Sequence, residues 1–176
     1  MIRYVAFLRG INVSGQKLIK MEVLRQYFEL PGFKNIVTYI QSGNVLFDSK
    51  EVDEAKLLTK IEKQLVKQLG YEVPVVLRSV EEIKEVIKKN PYTQEPADSA
   101  RKLYVHFLSG VPEKLLHGSL DRYKSDQEEI KIVGREMYFL APSFGNTKLT
   151  NSLIEKKLGV TATARNWATV NKVVTL

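Results

Sequence analysis

Two short polar stretches hold the residues best suited to grip a ligand. The first is Arg9-Gly10-Ile11-Asn12-Val13-Ser14-Gly15 and the second is Gln41-Ser42-Gly43-Asn44. Together they offer a guanidinium, three carboxamides, two hydroxyls and glycines that let backbone N–H groups approach an anion. Lys20 adds a charge where a helix begins. Neither stretch contains Asp, Glu, His or Cys. A fixed cation among neutral donors suits orienting an anionic or carbonyl-bearing ligand better than acid–base turnover. A third stretch, Thr163-Ala164-Arg165-Asn166-Trp167, combines a guanidinium, an amide and the chain's one Trp. Arg165 and Asn166 are expected at the rim of the same site, and Trp167 is expected to anchor the last helix in the core.

Other chemistries fit less well. With no cysteine, disulfides, thiolate catalysis and Cys-based zinc sites are excluded. The two histidines, His106 and His117, stand at no ligand spacing, so neither a metal nor a cofactor is implied. Ser14 and Ser42 have no histidine near in sequence, and Gly-x-Ser-x-Gly is absent; a Ser–Lys pair using Lys17 or Lys20 is the remaining nucleophilic option. No phosphate-loop or dinucleotide fingerprint occurs. Tyr4, Phe7 and Phe47 lie on strands that an RNA-recognition sheet would use, but its basic–Gly–aromatic signature is missing.

The elements that must position these residues follow from periodicity. Ile2–Leu8 is an apolar run that reads as a strand buried on both faces. A loop over 9–19 leads to a helix over Lys20–Leu30, stopped by Pro31-Gly32. Strands over Asn35–Gln41 and Asn44–Asp48 form a hairpin. Asp53 caps a helix running to Leu69 with Gly70 after it, and Val73–Arg78 is a strand. Ser79-Val80-Glu81-Glu82 is a capping box opening a helix to Lys89. Residues 90–101, with Pro91 and Pro96, read as a linker. The order then restarts: strand Leu103–Leu108, short helix Pro112–Leu120, hairpin Glu128–Val133 and Glu136–Leu140, helix Thr150–Leu158, and a terminal helix over Arg165–Val174 in place of a last strand.

The expected fold is therefore α/β of the α+β kind: two ferredoxin-like (split βαββαβ) halves, residues 1–89 and 102–176, with an added C-terminal helix, in one compact unit. The halves share element order rather than sequence. In this topology strands one and three are neighbours, and the loop after strand one shares an end of the sheet with the turn between strands two and three. Arg9, Asn12, Lys20, Gln41, Ser42 and Asn44 then line one concavity. The second half has only Ser109-Gly110 and Gly134-Arg135 at the corresponding places.

A chain of 176 residues, 44% of them hydrophobic, can bury a sizeable core. Its net charge of +7 is uneven: residues 1–21 and 148–176 carry +4 each, leaving −1 for the rest. The basic ends favour an anionic partner, either a small ligand or nucleotide or, as the less favoured alternative, nucleic acid. A protein–protein adaptor is a third class. No apolar run is long enough for a membrane span or a signal segment, which with the absence of cysteine points to the cytoplasm.

Several segments resemble the bacterial family known as domain of unknown function 1697. They are Ala6-Phe7-Leu8-Arg9-Gly10-Ile11-Asn12-Val13 with Gly15, Met21 with Leu24-Arg25, Thr38-Tyr39-Ile40-Gln41-Ser42-Gly43-Asn44-Val45, Leu149-Thr150-Asn151, Glu155-Lys156-Lys157-Leu158-Gly159, and residues 163–167. Position 14 is Ser where the family commonly has Gly. The resemblance implies a duplicated ferredoxin-like α/β protein and assigns no reaction.

Overall fold

The computed structural model describes residues 1–13, 15–93 and 100–176; Ser14 and residues 94–99 of the expected linker lie outside the described residues. The chain divides into two units, Met1–Lys84 with Val173–Leu176, and Glu85–Lys172. The described residues form a mixed α+β fold of two four-stranded antiparallel sheets and five α-helices. No helix among them is long and apolar enough to cross a membrane.

In the first unit the strands are β1 (Ile2–Leu8), β2 (Lys34–Tyr39), β3 (Asn44–Ser49) and β4 (Val75–Ser79), in the order β2-β3-β1-β4. Strands one and three are thus neighbours, paired antiparallel from Ile2↔Ser49 to Phe7↔Asn44. Helices α1 (Met21–Tyr27), with its C-cap Phe28, and α2 (Glu54–Leu69) supply Leu24, Phe28, Leu57, Ile61 and Leu65 to a core with Tyr4, Ala6, Leu8, Val45, Phe47, Val75 and Leu77. The strand residues alternate, as a two-residue period requires. Val5 and Phe7 of β1 are buried as well, as its unbroken apolar run implies. The caps form as the residues dictate. Asp53 accepts from the N–H groups of Ala55 and Lys56, and Gly70 closes α2 in the left-handed region. Ser79 and Glu82 exchange bonds across the first turn of α3 (Val80–Lys88).

The second unit has β5 (Lys102–Leu108), β6 (Glu129–Val133), β7 (Glu136–Ala141) and β8 (Ala162–Asn166), in the order β6-β7-β5-β8. A 3-10 helix (Lys114–Tyr123), somewhat beyond the expected Pro112–Leu120, and α4 (Asn151–Leu158) complete it, before α5 (Trp167–Val173). Thr150 caps α4 through the N–H of Leu153. The expectation of a terminal helix starting at Arg165 in place of the last strand is corrected. Residues 162–166 pair with β5 as a strand, and the helix follows it. Asn166 accepts from the N–H of Thr169 and so caps α5 from the strand's last position.

The two sheets correspond in register. Val5 faces Arg78 and Val105 faces Arg165; Leu8 faces Val75 and Leu108 faces Ala162. With the strands aligned, a sequence likeness stands out: Tyr4-Val5-Ala6-Phe7-Leu8-Arg9-Gly10 matches Tyr104-Val105-His106-Phe107-Leu108-Ser109-Gly110 at five of seven positions.

Where β1 has Ala6, β5 has His106. Its ring is fully buried beside Phe139 and Phe144, with Nδ1 3.0 Å from Asn151 Oδ1 and Nε2 without a partner. The amide oxygen only accepts, so Nδ1 carries the proton. Burial lowers the His106 pKa to about 4 despite that hydrogen bond. The folded state therefore takes up this proton at lower pH than the unfolded chain. The His106 contribution to stability is intact above the unfolded pKa and is lost progressively between about 6.5 and 4. Lowering the pH from about 7 to about 5 should cost about 2 kcal/mol in urea unfolding followed by Trp167 fluorescence. The variant His106→Leu should lack most of that difference; an equal loss in both proteins would show that other groups carry it.

Candidate functional site

The loop after β1 and the β2–β3 turn meet, and their meeting is built from backbone. The N–H of Leu8 donates to the carbonyl of Gly43 at 2.9 Å, and that of Arg9 to Pro74 at 2.9 Å. Between residues 10 and 17 the chain doubles back, with Gly10, Asn12, Gly15 and Lys17 all at φ between 48° and 74°. Such angles come readily to Gly and tolerably to Asn. The N–H of Asn12 reaches the carbonyl of Lys17 and that of Gln16 reaches Val13, closing the loop on itself.

Asn12 is the tie. Its Oδ1 accepts from the N–H of Ile19 at 2.7 Å, and its Nδ2 donates to the carbonyls of Ile19 at 3.1 Å and Gln41 at 2.9 Å. One carboxamide joins both ends of the loop to the tip of the hairpin. Asn44 does the same inside the turn. It is fully buried and donates from Nδ2 to the Tyr39 carbonyl at 2.9 Å and to Ser42 Oγ at 3.1 Å. Gly43 sits at φ +79°, where a Cβ would come within 2.6 Å of Ile11 Cδ1 and 3.1 Å of Leu8 Cβ. Only a residue without a side chain lets the turn rest on Ile11.

Of the residues expected here, Asn12 and Asn44 are therefore spent on holding the backbone. Gln41, Ser42 and Lys20 have exposed side chains, and Arg9 is half-buried. Lys17 stands over the Tyr71 ring with Nζ 4.8 Å from its centroid. Lys20 is the N-cap residue of α1, a helix too short for its dipole end to make an anion site. Arg165 and Asn166 belong to the second unit and have local tasks there. Arg165 is buried, with Nη1 bonding Thr163 Oγ1 at 2.9 Å and the Ala164 carbonyl at 2.7 Å. Burial lowers its pKa to about 9, which leaves it charged at neutral pH. Asn166 is the cap of α5. Trp167, expected in the core, is half-buried. Among the described residues no group of three His, Cys, Asp or Glu stands together to hold a metal.

A family model described as a protein of unknown function (DUF1697) matches residues 1–138. The chain is a member of the DUF1697 family. A comparison with curated proteins finds no match. Among solved structures, this DUF1697 chain resembles SP0830, a conserved bacterial protein from Streptococcus pneumoniae. The TM-score is 0.78 at 24% identity, covering 99% of this chain and 97% of that one. At that identity the likeness concerns the fold.

The DUF1697 chain also has side chains of interest that its linear sequence did not single out. Arg78 lies in β4 with 1% of its surface exposed, its Nη1 on the Leu77 carbonyl at 2.7 Å. A charge inside the apolar run Val75-Val76-Leu77 was the available signal. Lys34, Lys50, Lys56 and Lys60 line one cleft of the first unit.

These bonds sort the polar residues into two groups that stability measurements separate. Asn12→Ala strands the part-buried N–H and carbonyl of Ile19 and Asn44→Ala the Tyr39 carbonyl, so each should cost on the order of 1–3 kcal/mol in urea unfolding. Gly43→Ala should cost a similar ~1–3 kcal/mol through strain and overlap. Gln41→Ala keeps the carbonyl that Asn12 uses and should stay within about 0.5 kcal/mol of wild type. Neutral Asn12 and Asn44 variants would remove the two carboxamides from the framework.

Proposed function

We propose that this protein binds a small anionic ligand of the nucleotide-phosphate class on the surface made by the 9–20 loop and the 40–43 turn. The observation that carries the reading is the Asn12 tie between loop and turn. It joins the stretch that carries Arg9, Lys17 and Lys20 to the turn that carries the exposed Gln41 and Ser42, with no Asp or Glu in either segment. Asn12 and Asn44 preorganise the surface, while Arg9, Lys20, Gln41 and Ser42 meet the ligand. Preorganisation lowers the ordering cost of binding. Without a carboxylate or histidine in either segment, binding is favoured over acid–base turnover.

The same proposal takes the fold to be a duplicated ferredoxin-like arrangement in which α3 and α5 are matching additions after β4 and β8. Three features support it: the shared strand order, the arginine that faces a valine at equivalent register in each sheet, and the repeated Tyr-Val-x-Phe-Leu-x-Gly pattern. A cytoplasmic location belongs to the proposal too, resting on the absence of cysteine.

Nucleoside phosphates should raise the melting temperature, with about 2.7 kcal/mol of added stability at ~100 times the dissociation constant. The double variant Arg9→Gln/Lys20→Gln should lose that response while still unfolding in one cooperative transition. No response to any nucleoside phosphate, or an undiminished response in the variant, ends the reading. Tight binding to generic RNA or DNA with a steep salt slope would move the assignment to nucleic acid.

A further inference from the structure

The first unit has a second basic surface, away from the loop and turn. Along β1 and β3 the register runs from Phe7↔Asn44 to Ile2↔Ser49. Five residues of strand place the far end about 17 Å away. There a cleft of about 370 Å³ opens between the Pro31–Lys34 segment, the Ser49–Glu51 segment and the first turns of α2. Its size lies at the lower end of the range for small-molecule sites.

The cleft has an apolar floor and a cationic rim. Phe33 and Leu57 are buried beneath it, at 9% and 2% exposure. Gly32, at φ +87°, turns the chain so that Phe33 packs inward on Phe47, ring centroids 4.1 Å apart. Lys60 Nζ lies 5.1 Å from the centroid of Phe33 and donates to the Pro31 carbonyl, which holds this ammonium in place. Lys34 and Lys50 extend from the strand side, and Lys56 stands one turn before Lys60 on α2.

Asp48 faces Lys34 across the β2–β3 ladder and is held by Arg3 and Asn35, while Glu51 and Asp53 are engaged by backbone. Glu51 Oε1 accepts from the N–H groups of Val52 and Asp53; Asp53 Oδ1 accepts from those of Ala55 and Lys56. Lys56 reaches Asp53 only at 3.8 Å. Four lysines therefore line one cleft whose lining holds a single carboxylate residue, and Lys56 and Lys60 repel each other along the helix. An anion seated among them relieves that repulsion, and its apolar portion has Phe33 and Leu57 to cover.

We infer that this cleft binds a small organic phosphate, the phosphate held by Lys34, Lys50 and Lys60 and the carbon body lying toward Phe33 and Leu57. The inference does not rest on the loop–turn reading, because the two surfaces share no residue. Phenyl phosphate and inorganic phosphate serve as probes, titrated calorimetrically and by thermal shift at constant ionic strength set with chloride. Phenyl phosphate should bind about tenfold more tightly than inorganic phosphate through the buried floor. Lys34→Gln/Lys50→Gln should weaken phenyl phosphate about tenfold or more, since both side chains are exposed and their loss spares the fold. Arg9→Gln/Lys20→Gln should leave it unchanged. No binding beyond the chloride control overturns the inference, as does binding that survives Lys34→Gln/Lys50→Gln. So does binding lost in the Arg9→Gln/Lys20→Gln protein, which would return the ligand to the loop and turn.

Discussion

Gly43 resting on Ile11 is the contact on which the first unit's polar end depends. β1 is an inner strand and is buried on both faces, so the chain must leave it without exposing Leu8 or opening the ladder. It does so by donating the Leu8 N–H to Gly43 and tucking Ile11, 1% exposed, beneath the hairpin turn. That leaves no room for a Cβ at position 43. The residues around this contact absorb the strain. Asn12, Lys17 and Ile40 have φ of 48° to 52°, each at a cost on the order of 1 kcal/mol, most for branched Ile40. The three Asn12 bonds and the Asn44 bonds offset it at about 1 kcal/mol each. A chain that needs only a turn does not require this much local strain. Its concentration where exposed neutral and cationic groups gather supports the proposal of a ligand there.

The second unit shows that the frame does not demand the ornament. The Leu108 N–H donates to the Arg135 carbonyl as that of Leu8 does to Gly43, and the Ser109 N–H donates to Thr161 as that of Arg9 does to Pro74. Both strand exits are thus closed by the same pair of backbone bonds. In the second unit Ser109-Gly110 suffices to finish the strand, with Ser109 Oγ accepting from the Thr161 N–H. The extended loop of residues 9–20 is therefore an addition to a join that works without it. Stability alone does not account for its basic residues.

What was legible in the sequence was whatever local chemistry decides. Asp53 and Gly70 delimit α2, Ser79 and Glu82 open α3, and the apolar run of β1 declares a doubly buried strand. The approach of loop to turn was legible too, because it follows from strand order. β8 was not. Ala162-Thr163-Ala164-Arg165 has small side chains and a buried cation, with no strong alternation, so pairing with β5 decides its state. The helical signal after it was real, but the helix begins at Trp167, two residues later than expected, since Asn166 ends the strand and caps the helix at once. The backbone partners of Asn12 and Asn44 were not legible for a related reason: an amide in a polar turn looks the same in sequence whether it faces solvent or backbone.

Charge shows the same limit more sharply. Windows of sequence assigned the positive field to the two ends of the chain, but folding redistributes it. Arg3 is paired with Asp48 at 2.9 Å, and Arg165 is buried in its strand. The middle of the chain, near neutral by sum, holds Lys34, Lys50, Lys56 and Lys60 on one cleft. Acids balance those lysines in the tally, yet Glu51 and Asp53 turn toward backbone N–H groups, and Glu81 and Glu82 belong to α3. Screening in water limits the reach of each charge to about 10 Å. What an anion meets is therefore the local arrangement, and that depends on where Pro31-Gly32 turns the chain and on which face of α2 its lysines fall.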